Sequence, residues 1–598
     1  MITNNNKAQQ GLLICLLAIL CGTLSGLAFV PWRLAPLWPL MLFLLVLLLW
    51  PQLQGNPTDR SAPSAPNRRP SSIIIKKTTA FFFSAPLSSL GFRAFLFYFA
   101  QNITTLSWAG DAPSVFDDSL APFGYVIAIG LPALMSIYYV RAFLLARRQP
   151  TSARTLLVLA IGLSLAAFIH SFFLSGFPWN IASHGFVYLP FFMTLLPYVG
   201  QFVLSTWFYS SVCLLVWLFI IFISSFYGAM QPHLPAAIDH GLRDIFRPIV
   251  PKMNTMGRVT LYIASLLFIT LPFFFGILRY MQLPMHNAFN KTAPAFLLVQ
   301  PNISIKQEKK EPVYKQVLLL LAQSRQGLEK NAEKNKTRAN IILWPESSVA
   351  AHFLDDIHSR HYITRFLNDR EYLLLGTLRE NELNTSHNSM VLMDNQGQVV
   401  NFYDKHHLVP LGEYIPFGRY LPFVPIAARD IDISTGPAPF AFPIGNRFAF
   451  IPLICYESAF PHLANRYQLE RASNRALGAI VVITNDAWFG KTIGPEQHLF
   501  MSQLRAAENG LPLLRVGLTG ITAIIDPYGR LLASLPFNTA GSIYTVPPAP
   551  LAVMPPYARF QKMIDFGLAF MLLTVLSITC WPQRQLWIKN KKARQKKQ

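Results

Sequence analysis

Cys455 stands at the end of the apolar run FAFIPLI, in the stretch PLICYES (452–458). A thiol delivered by a buried strand end can act as a covalent nucleophile. It needs a base to take its proton and a cation to face the oxyanion that forms on attack. The chain offers both. Glu346, in LWPESSV, can take the thiol proton, and Lys405, in FYDKHHLVPLGEYIPFG, can face the oxyanion. Each residue also has a plainer reading, as a small core hydrophobe, a helix N-cap acid and a solvated lysine. Context separates them from those readings. Cys455 alone lies outside a membrane-type segment, whereas Cys15, Cys21, Cys213 and Cys580 all fall in long apolar stretches. Lys405 sits between Asp404 and the pair His406 and His407, and leads into an aromatic run. The two histidines could be read as metal ligands, but no Cys/His spacing completes a site, and no cofactor is expected.

The elements that must position these residues follow from hydropathy. The 598 residues are 52% hydrophobic and only 13% charged, too apolar for an ordinary soluble enzyme of this length. The apolar residues are concentrated in the first 280 or so positions and again at 563–582, while 290–550 reads as a water-facing domain. Segments of roughly 20 apolar residues are long enough to cross a bilayer as helices. Eight candidates are 11–30, 35–51, 79–108, 121–143, 155–175, 202–227, 258–280 and 563–582. The expected organisation is therefore a seven-span region (1–280), a catalytic domain (281–562), a last span (563–582) and a basic tail (583–598). Residues 547–560 (PPAPLAVMPPYARF) read as a Pro-rich linker into that last span.

Loop charge orients the bundle. The loops 52–78, 144–154 and 228–257 and the tail 583–598 hold eighteen Lys and Arg, against one, Arg33, in the alternate loops 31–34, 109–120 and 176–201. Basic loops stay cytoplasmic, so both termini are expected inside and the 281–562 domain outside, in a periplasm-like space. The net charge of +22 is then largely anchoring charge, with no nucleic-acid partner needed to explain it.

Within the domain, strand-like runs FLLVQ, IILW, YLLLGT, FAFIPLI and AIVVIT alternate with the helix-like stretches 313–334 and 496–510, arguing an α/β layered fold. Reactive groups in such folds gather at strand carboxyl ends. Glu346, Cys455 and the pair Asn485 and Asp486 all follow strands, which puts them on one rim.

LWPES, YDKHHLVPLGEYIPFG and ICYES, in this order, resemble the Glu-Lys-Cys triad motifs of the nitrilase superfamily, whose fold is an α-β-β-α sandwich. GLAFVPWRLAPLWPL (26–40), GFPWN (176–180), VQPNI (299–303) and NDAWFGKTIGPEQH (485–498) are similar to its apolipoprotein N-acyltransferase branch. The resemblance implies an eight-span bundle with the catalytic domain before the last span. It implies transfer of a fatty acyl chain from a membrane phospholipid to the N-terminal amine of a diacylglyceryl-cysteine apolipoprotein. Cys455 then matches the nucleophile, Glu346 the base and Lys405 the oxyanion-stabilising lysine. Glu413 matches a second acid, Tyr456 and Glu457 match residues needed for acyl transfer, and Asn388 matches a pocket asparagine. The chain departs from the family pattern at Gly517 and Leu518, in RVGLTG, and at Ala167 and His170, before GFPWN. These changes bear on acceptor or lipid selectivity. A rival activity with the same triad is a membrane-tethered amidase or nitrilase that hydrolyses a small amide. A lipid donor suits the eight spans, and the aromatic run 411–425 suits an interfacial arm. NDAWFG offers a second gate through Gly490.

Overall fold

The computed structural model describes residues 2–54, 89–116, 118–172, 176–230, 255–285, 288–291, 293–303, 313–331, 340–349, 352–380, 385–410, 412–414, 433–446 and 448–595. Most of the basic loops 52–78 and 228–257, and residues 415–425 of the aromatic run, lie outside the described residues.

The apolar segments are helices: α1 (Ile2–Gly26), α2 (Leu37–Leu53), α3 (Leu90–Leu106), α4 (Ala121–Ala146), α5 (Ser152–Phe172), α6 (Leu196–Met230), α7 (Thr255–Met281) and α10 (Pro556–Gln595). A helix satisfies its own backbone, which is what hydrocarbon demands. Among the described residues, six stretches are long and apolar enough to cross a membrane: Gln9–Gly26, Asp118–Ala146, Ser152–Phe172, Leu196–Tyr227, Met256–Met281 and Pro556–Cys580. The other two expected spans differ from these. The helix α2 is apolar but has only 17 residues. Residues 79–88 of the expected span 79–108 lie outside the described residues, and in the remaining helix α3 Arg93, in the first turn, is buried, 3% exposed. Arg93 lowers the hydropathy of α3, and a charge at such depth has to face protein rather than lipid. The last helix also begins earlier than its apolar core. Pro556 opens it, within the stretch read as linker, because a proline costs nothing at a helix start.

Polar side chains link the bundle helices. Asn102 Nδ2 donates to Ser136 Oγ across α3 and α4 (3.1 Å), and Asn180 Nδ2 donates to Thr105 Oγ1 (2.8 Å). Gly200 breaks α6 with φ +70°, and the Tyr557 ring at the start of α10 occupies the space a side chain there would need. The kink and the ring thus fit together only because position 200 is glycine.

The catalytic domain holds two six-stranded sheets, in the orders β12-β1-β2-β3-β4-β5 and β11-β10-β9-β8-β7-β6. In the first, β1 (Ala295–Gln300), β2 (Asn340–Leu343) and β3 (Glu371–Glu380) are parallel; β4 (Ser386–Met393) and β5 (Val399–Asp404) follow antiparallel, and β12 (Gly541–Thr545) closes the far edge. In the second, β7 (Phe448–Ile454), β8 (Ala479–Thr484) and β9 (Leu513–Gly517) are parallel, flanked by β6 (Phe442–Ile444), β10 (Thr522–Ile525) and β11 (Leu531–Leu535). Parallel neighbours need helical crossovers, and these supply the outer layers.

Period-two alternation builds the core. On β7, Phe448, Phe450 and Ile454 face the opposite sheet, packing with Phe296, Ile341, Leu343 and Met390. Its alternate residues Ala449, Ile451 and Leu453 pack outward with Phe500 and Leu504 of α9 (Gly494–Asn509). On the other side Val317 and Leu320 of α8 (Val313–Lys330) cover Ile342 and Trp344. The result is the four-layered α-β-β-α sandwich that the resemblance implied. Pro452 is tolerated inside β7 because β6 pairs only as far as Phe450, so no neighbour on that edge requires its missing N–H.

Candidate active site

Three strand ends and one antiparallel return converge on a single rim. Glu346 follows β2 and Cys455 follows β7. Asn485 and Asp486 follow β8, and Lys405 follows β5, which runs in the same sense as β3 because β4 is antiparallel to both. The strand ends were legible in the sequence. That they belong to two sheets facing each other was not.

Lys405 is buried, 1% exposed. Its Nζ donates to Glu413 Oε1 at 2.9 Å and lies 3.5 Å from Glu346 Oε1. Burial alone would lower its pKa, but Glu413 and then Glu346 more than offset this and hold it above the ordinary lysine value. Asn388 Nδ2 bridges the same two carboxylates, donating to Glu346 Oε1 (2.8 Å) and Glu413 Oε1 (2.9 Å). The Asn485 N–H donates to Glu346 Oε2 (2.7 Å) and the Val409 N–H to Glu413 Oε2 (2.8 Å). Each carboxylate is therefore held from both oxygens.

Glu346 also needs room. Gly376 on β3 passes so close that a Cβ there would lie 2.5 Å from Glu346 Cα and 2.6 Å from the Pro345 carbonyl oxygen. Gly376→Ala must push the Glu346 turn away. A displacement near 1 Å can cost about 10²-fold in rate. We expect reaction at the Cys455 thiol to slow by that order, with a stability loss of about 1–3 kcal/mol from overpacking. Single-turnover labelling of the thiol by an activated ester and thermal melting measure the two effects separately, and unchanged labelling would show that the Glu346 turn can shift without harm.

Cys455 has φ +53°, a left-handed conformation that a non-glycine residue rarely adopts. It opens a tight 3₁₀ turn, Cys455–Ala459, so its side chain leaves the strand end abruptly. It forms no disulfide, and the residue as a whole is half-buried. Burial pushes the thiol's pKa well above the usual range; Glu346 adds to this and Lys405 opposes it. The resting sulfur is thus protonated at neutral pH, and attack requires a base. Both Glu346 and Lys405 lie within electrostatic reach of it.

The neighbours of Cys455 are anchored. Glu457 is fully buried; its Oε1 accepts from Tyr403 OH (2.8 Å), His406 N–H (2.8 Å) and His407 N–H (3.0 Å), and its Oε2 from Ile454 N–H (2.7 Å). One carboxylate thereby ties the Cys455 turn to the Lys405 loop. The backbone N–H groups of His406 and His407 are used for this tie, and among the described residues no group of His, Cys, Asp or Glu could hold a metal ion. Tyr456 OH donates to the Gly176 carbonyl (2.9 Å), in the GFPWN segment of the bundle, and its ring stacks on Trp179 at 6.3 Å. One of the departures noted in the sequence, His170, contacts that segment. The His170 ring nitrogen Nδ1 bonds the Phe177 carbonyl (3.2 Å) and Nε2 bonds Tyr139 OH (3.0 Å). Leu518 is buried and uses only its backbone, bonding Thr484 and Asn302. Gly490 takes φ +61°, and Phe489 beside it packs on Trp108 of the bundle at 4.8 Å.

Two family models match the chain. One, the apolipoprotein N-acyltransferase N-terminal domain, matches residues 77–214; the other, carbon-nitrogen hydrolase, matches residues 298–549. Together they span more than half of the chain, in the order bundle then catalytic domain. The apolipoprotein N-acyltransferase of Allorhizobium ampelinum is 28% identical over 558 residues, 90% of each chain. Over most of its length the chain is similar to apolipoprotein N-acyltransferases. Further relatives include the enzymes of Sinorhizobium fredii (29% identical, covering 82% of this chain and 85% of that one) and Rhizobium rhizogenes (28%, covering 75% and 78%). Among solved structures, a carbon-nitrogen hydrolase from Helicobacter pylori G27 aligns over 42% of this chain and 88% of its own, at 14% identity and a TM-score of 0.31. The residues beside this site that sequence reading passed over are His498 and Arg515. Both lie inside quoted motifs, but a single sequence gives no sign of which side chain in a motif turns inward.

Proposed function

We propose that this protein transfers a fatty acyl chain from a membrane phospholipid, through a thioester on Cys455, to the N-terminal amine of the diacylglyceryl-cysteine of apolipoproteins. The observation that carries the reading is the pairing of a buried Glu346–Lys405–Glu413 cluster at the thiol with a membrane bundle that bonds the residue next to the nucleophile. Glu346 takes the thiol proton and the sulfur attacks the phospholipid ester carbonyl. The oxyanion forms beside the Lys405 ammonium. Collapse breaks the ester C–O bond, and the proton on Glu346 goes to the departing lysophospholipid alkoxide. The acceptor amine then attacks the thioester, Glu346 takes its proton, and sulfur leaves as the amide forms. Glu413 and Asn388 hold Glu346 and Lys405 in place, and Tyr456 and Glu457 fix the nucleophile turn.

The proposal includes an eight-span topology, in which α2 and α3 also cross, and the division at 1–280, 281–562, 563–582 and 583–598. It places the protein in a bacterial inner membrane with the catalytic domain on the periplasmic face and both termini cytoplasmic, on the strength of the loop charges. A reporter fused at Gln598 is expected to be active only when it requires the cytoplasm; activity confined to the outside refutes the orientation.

A small-amide hydrolase could use the same cluster. The two differ in how the thioester is discharged. After loading with phospholipid alone, a diacylated lipopeptide is expected to take the acyl group as an amide, and an N-acetylated lipopeptide is not. Discharge by water at the same rate as by the lipopeptide would replace acyl transfer with hydrolysis.

A further inference from the structure

The left-handed backbone of Cys455 is strained and persists only where its surroundings impose it. The Cys455 carbonyl shows what imposes it. His498 Nε2 lies 3.0 Å from that oxygen, and Ser458 Oγ donates to it at 3.0 Å. His498 Nε2 and Ser458 Oγ are themselves 3.0 Å apart, which closes a small ring of contacts around the turn. The imidazole is completely buried and gripped from behind. Its Nδ1 lies 2.9 Å from Asp486 Oδ1 and 3.0 Å from Arg515 Nη2. Arg515 Nη2 in turn binds Asp486 Oδ2 at 2.7 Å, and Thr484 Oγ1 donates to Asp486 Oδ1 at 2.9 Å. None of these groups takes a proton or touches an acyl group in the reaction proposed for Cys455.

The residue before His498 explains why the ring cannot drift. Gln497 Oε1 accepts from the indole N–H groups of both Trp108 (3.0 Å) and Trp179 (2.9 Å), and its Nε2 donates to the carbonyls of Val30 and Thr105 (both 3.1 Å). Three separate bundle segments thus hold one amide with every hydrogen-bonding position filled. Consecutive residues of α9 therefore face two ways, Gln497 into the membrane bundle and His498 onto the nucleophile turn.

We infer that His498 is a positioning residue for thioester formation: its Nδ1 accepts from Arg515 Nη2, which leaves the single proton of the neutral ring on Nε2 to donate to the Cys455 carbonyl and keep the nucleophile in its left-handed conformation, in a register set by the bundle through Gln497. His498 does not touch the reacting atoms. It acts by fixing where Sγ points. The inference rests on the reading of Cys455 as the nucleophile.

The test uses the purified full-length protein in micelles with phospholipid, following single-turnover acylation of Cys455 by intact mass and thermal melting in parallel. His498→Ala is expected to slow acylation by about 10²-fold, the scale of a misplaced reacting group. His498→Gln keeps an N–H donor near the position of Nε2 and is expected to recover most of that rate. Both variants lose the bond that Nδ1 accepts from Arg515, so both are expected to melt at a similarly lowered temperature. A purely structural role predicts instead that acylation follows melting and is equal in the two variants, and that result overturns the inference. Wild-type acylation by His498→Ala overturns it as well. If His498→Ala does not fold, His498→Gln and Ser458→Ala decide: Ser458→Ala is expected to slow acylation several-fold with little change in melting, and unchanged rates in both overturn the inference. A wild-type protein that takes up no acyl group overturns the reading of Cys455 itself, whereas an acylated wild type matched by His498→Ala overturns only the role given to His498.

Discussion

Incubated with phospholipid alone, the wild-type protein is expected to gain the mass of one acyl chain and release one lysophospholipid, and Cys455→Ala is expected to do neither. This is the largest effect open to a single substitution here, because no other group at the rim can replace the sulfur. Among the described residues the remaining cysteines, Cys15, Cys21, Cys213 and Cys580, lie in bundle helices. Alanine removes the nucleophile without removing a core anchor, since the turn is held by Glu457 and by the Cys455 backbone rather than by the thiol. The melting temperature should therefore change little while acylation falls to nothing. Glu346→Gln gives the complementary result. The sulfur stays but its pKa, already raised by burial, leaves it protonated with no base to relieve it. Acylation by Cys455→Ala, detected as a mass gain, would remove Cys455 from the mechanism.

Lys405→Met is expected to reduce acylation by at least about 10²–10³-fold, the cost of losing one donor aimed at a developing oxyanion. Unlike Cys455→Ala, it should also destabilise the fold. The ammonium lies between Glu346 and Glu413, and Asn388 Nδ2 alone would then bridge two carboxylates of like charge. Removing one member of a buried ionic group costs about 3–5 kcal/mol. Because its pKa is higher in the folded chain than in the unfolded one, Lys405 contributes its full stabilisation below the ordinary lysine value of about 10.4. That contribution is lost only as pH rises through the higher folded value. The difference in melting temperature between wild type and Lys405→Met should therefore be constant across neutral pH and shrink only in strongly alkaline solution. A difference that vanishes near pH 7 would mean that the lysine is not held as a buried cation.

Much of this site was legible in the sequence because its parts are local. A strand of seven apolar residues followed by a lone cysteine, a carboxylate after IILW and a lysine beside Asp404 each declare a strand end, and strand ends in layered α/β domains are where chemistry collects. The bundle was legible for the same reason, since hydrocarbon imposes a length and a composition on each helix separately. Where local signals compete, the reading was less sharp. Arg93 interrupts one expected span, and Pro556 begins the last helix inside a stretch that looked like linker.

What the sequence could not supply is everything that depends on two distant segments meeting. Hydropathy placed Glu346 and Cys455 at strand ends but not in opposing sheets. The left-handed turn at Cys455 cannot be read from ICYES, because cysteine has no preference for it; Glu457, Ser458 and His498 impose it from three sides. His498 and Gln497 look alike in EQH, as polar residues on one helix. Only the docking of α9 between bundle and sheet decides that one amide is filled by Trp108 and Trp179 while the adjacent ring reaches the nucleophile. Hydrophobic pattern and backbone propensity act over a few residues, and they determined the elements. Hydrogen bonds across 43 residues, between Cys455 and His498, or across 389, between Trp108 and Gln497, exist only once the chain has closed on itself, and they determined the geometry of the site.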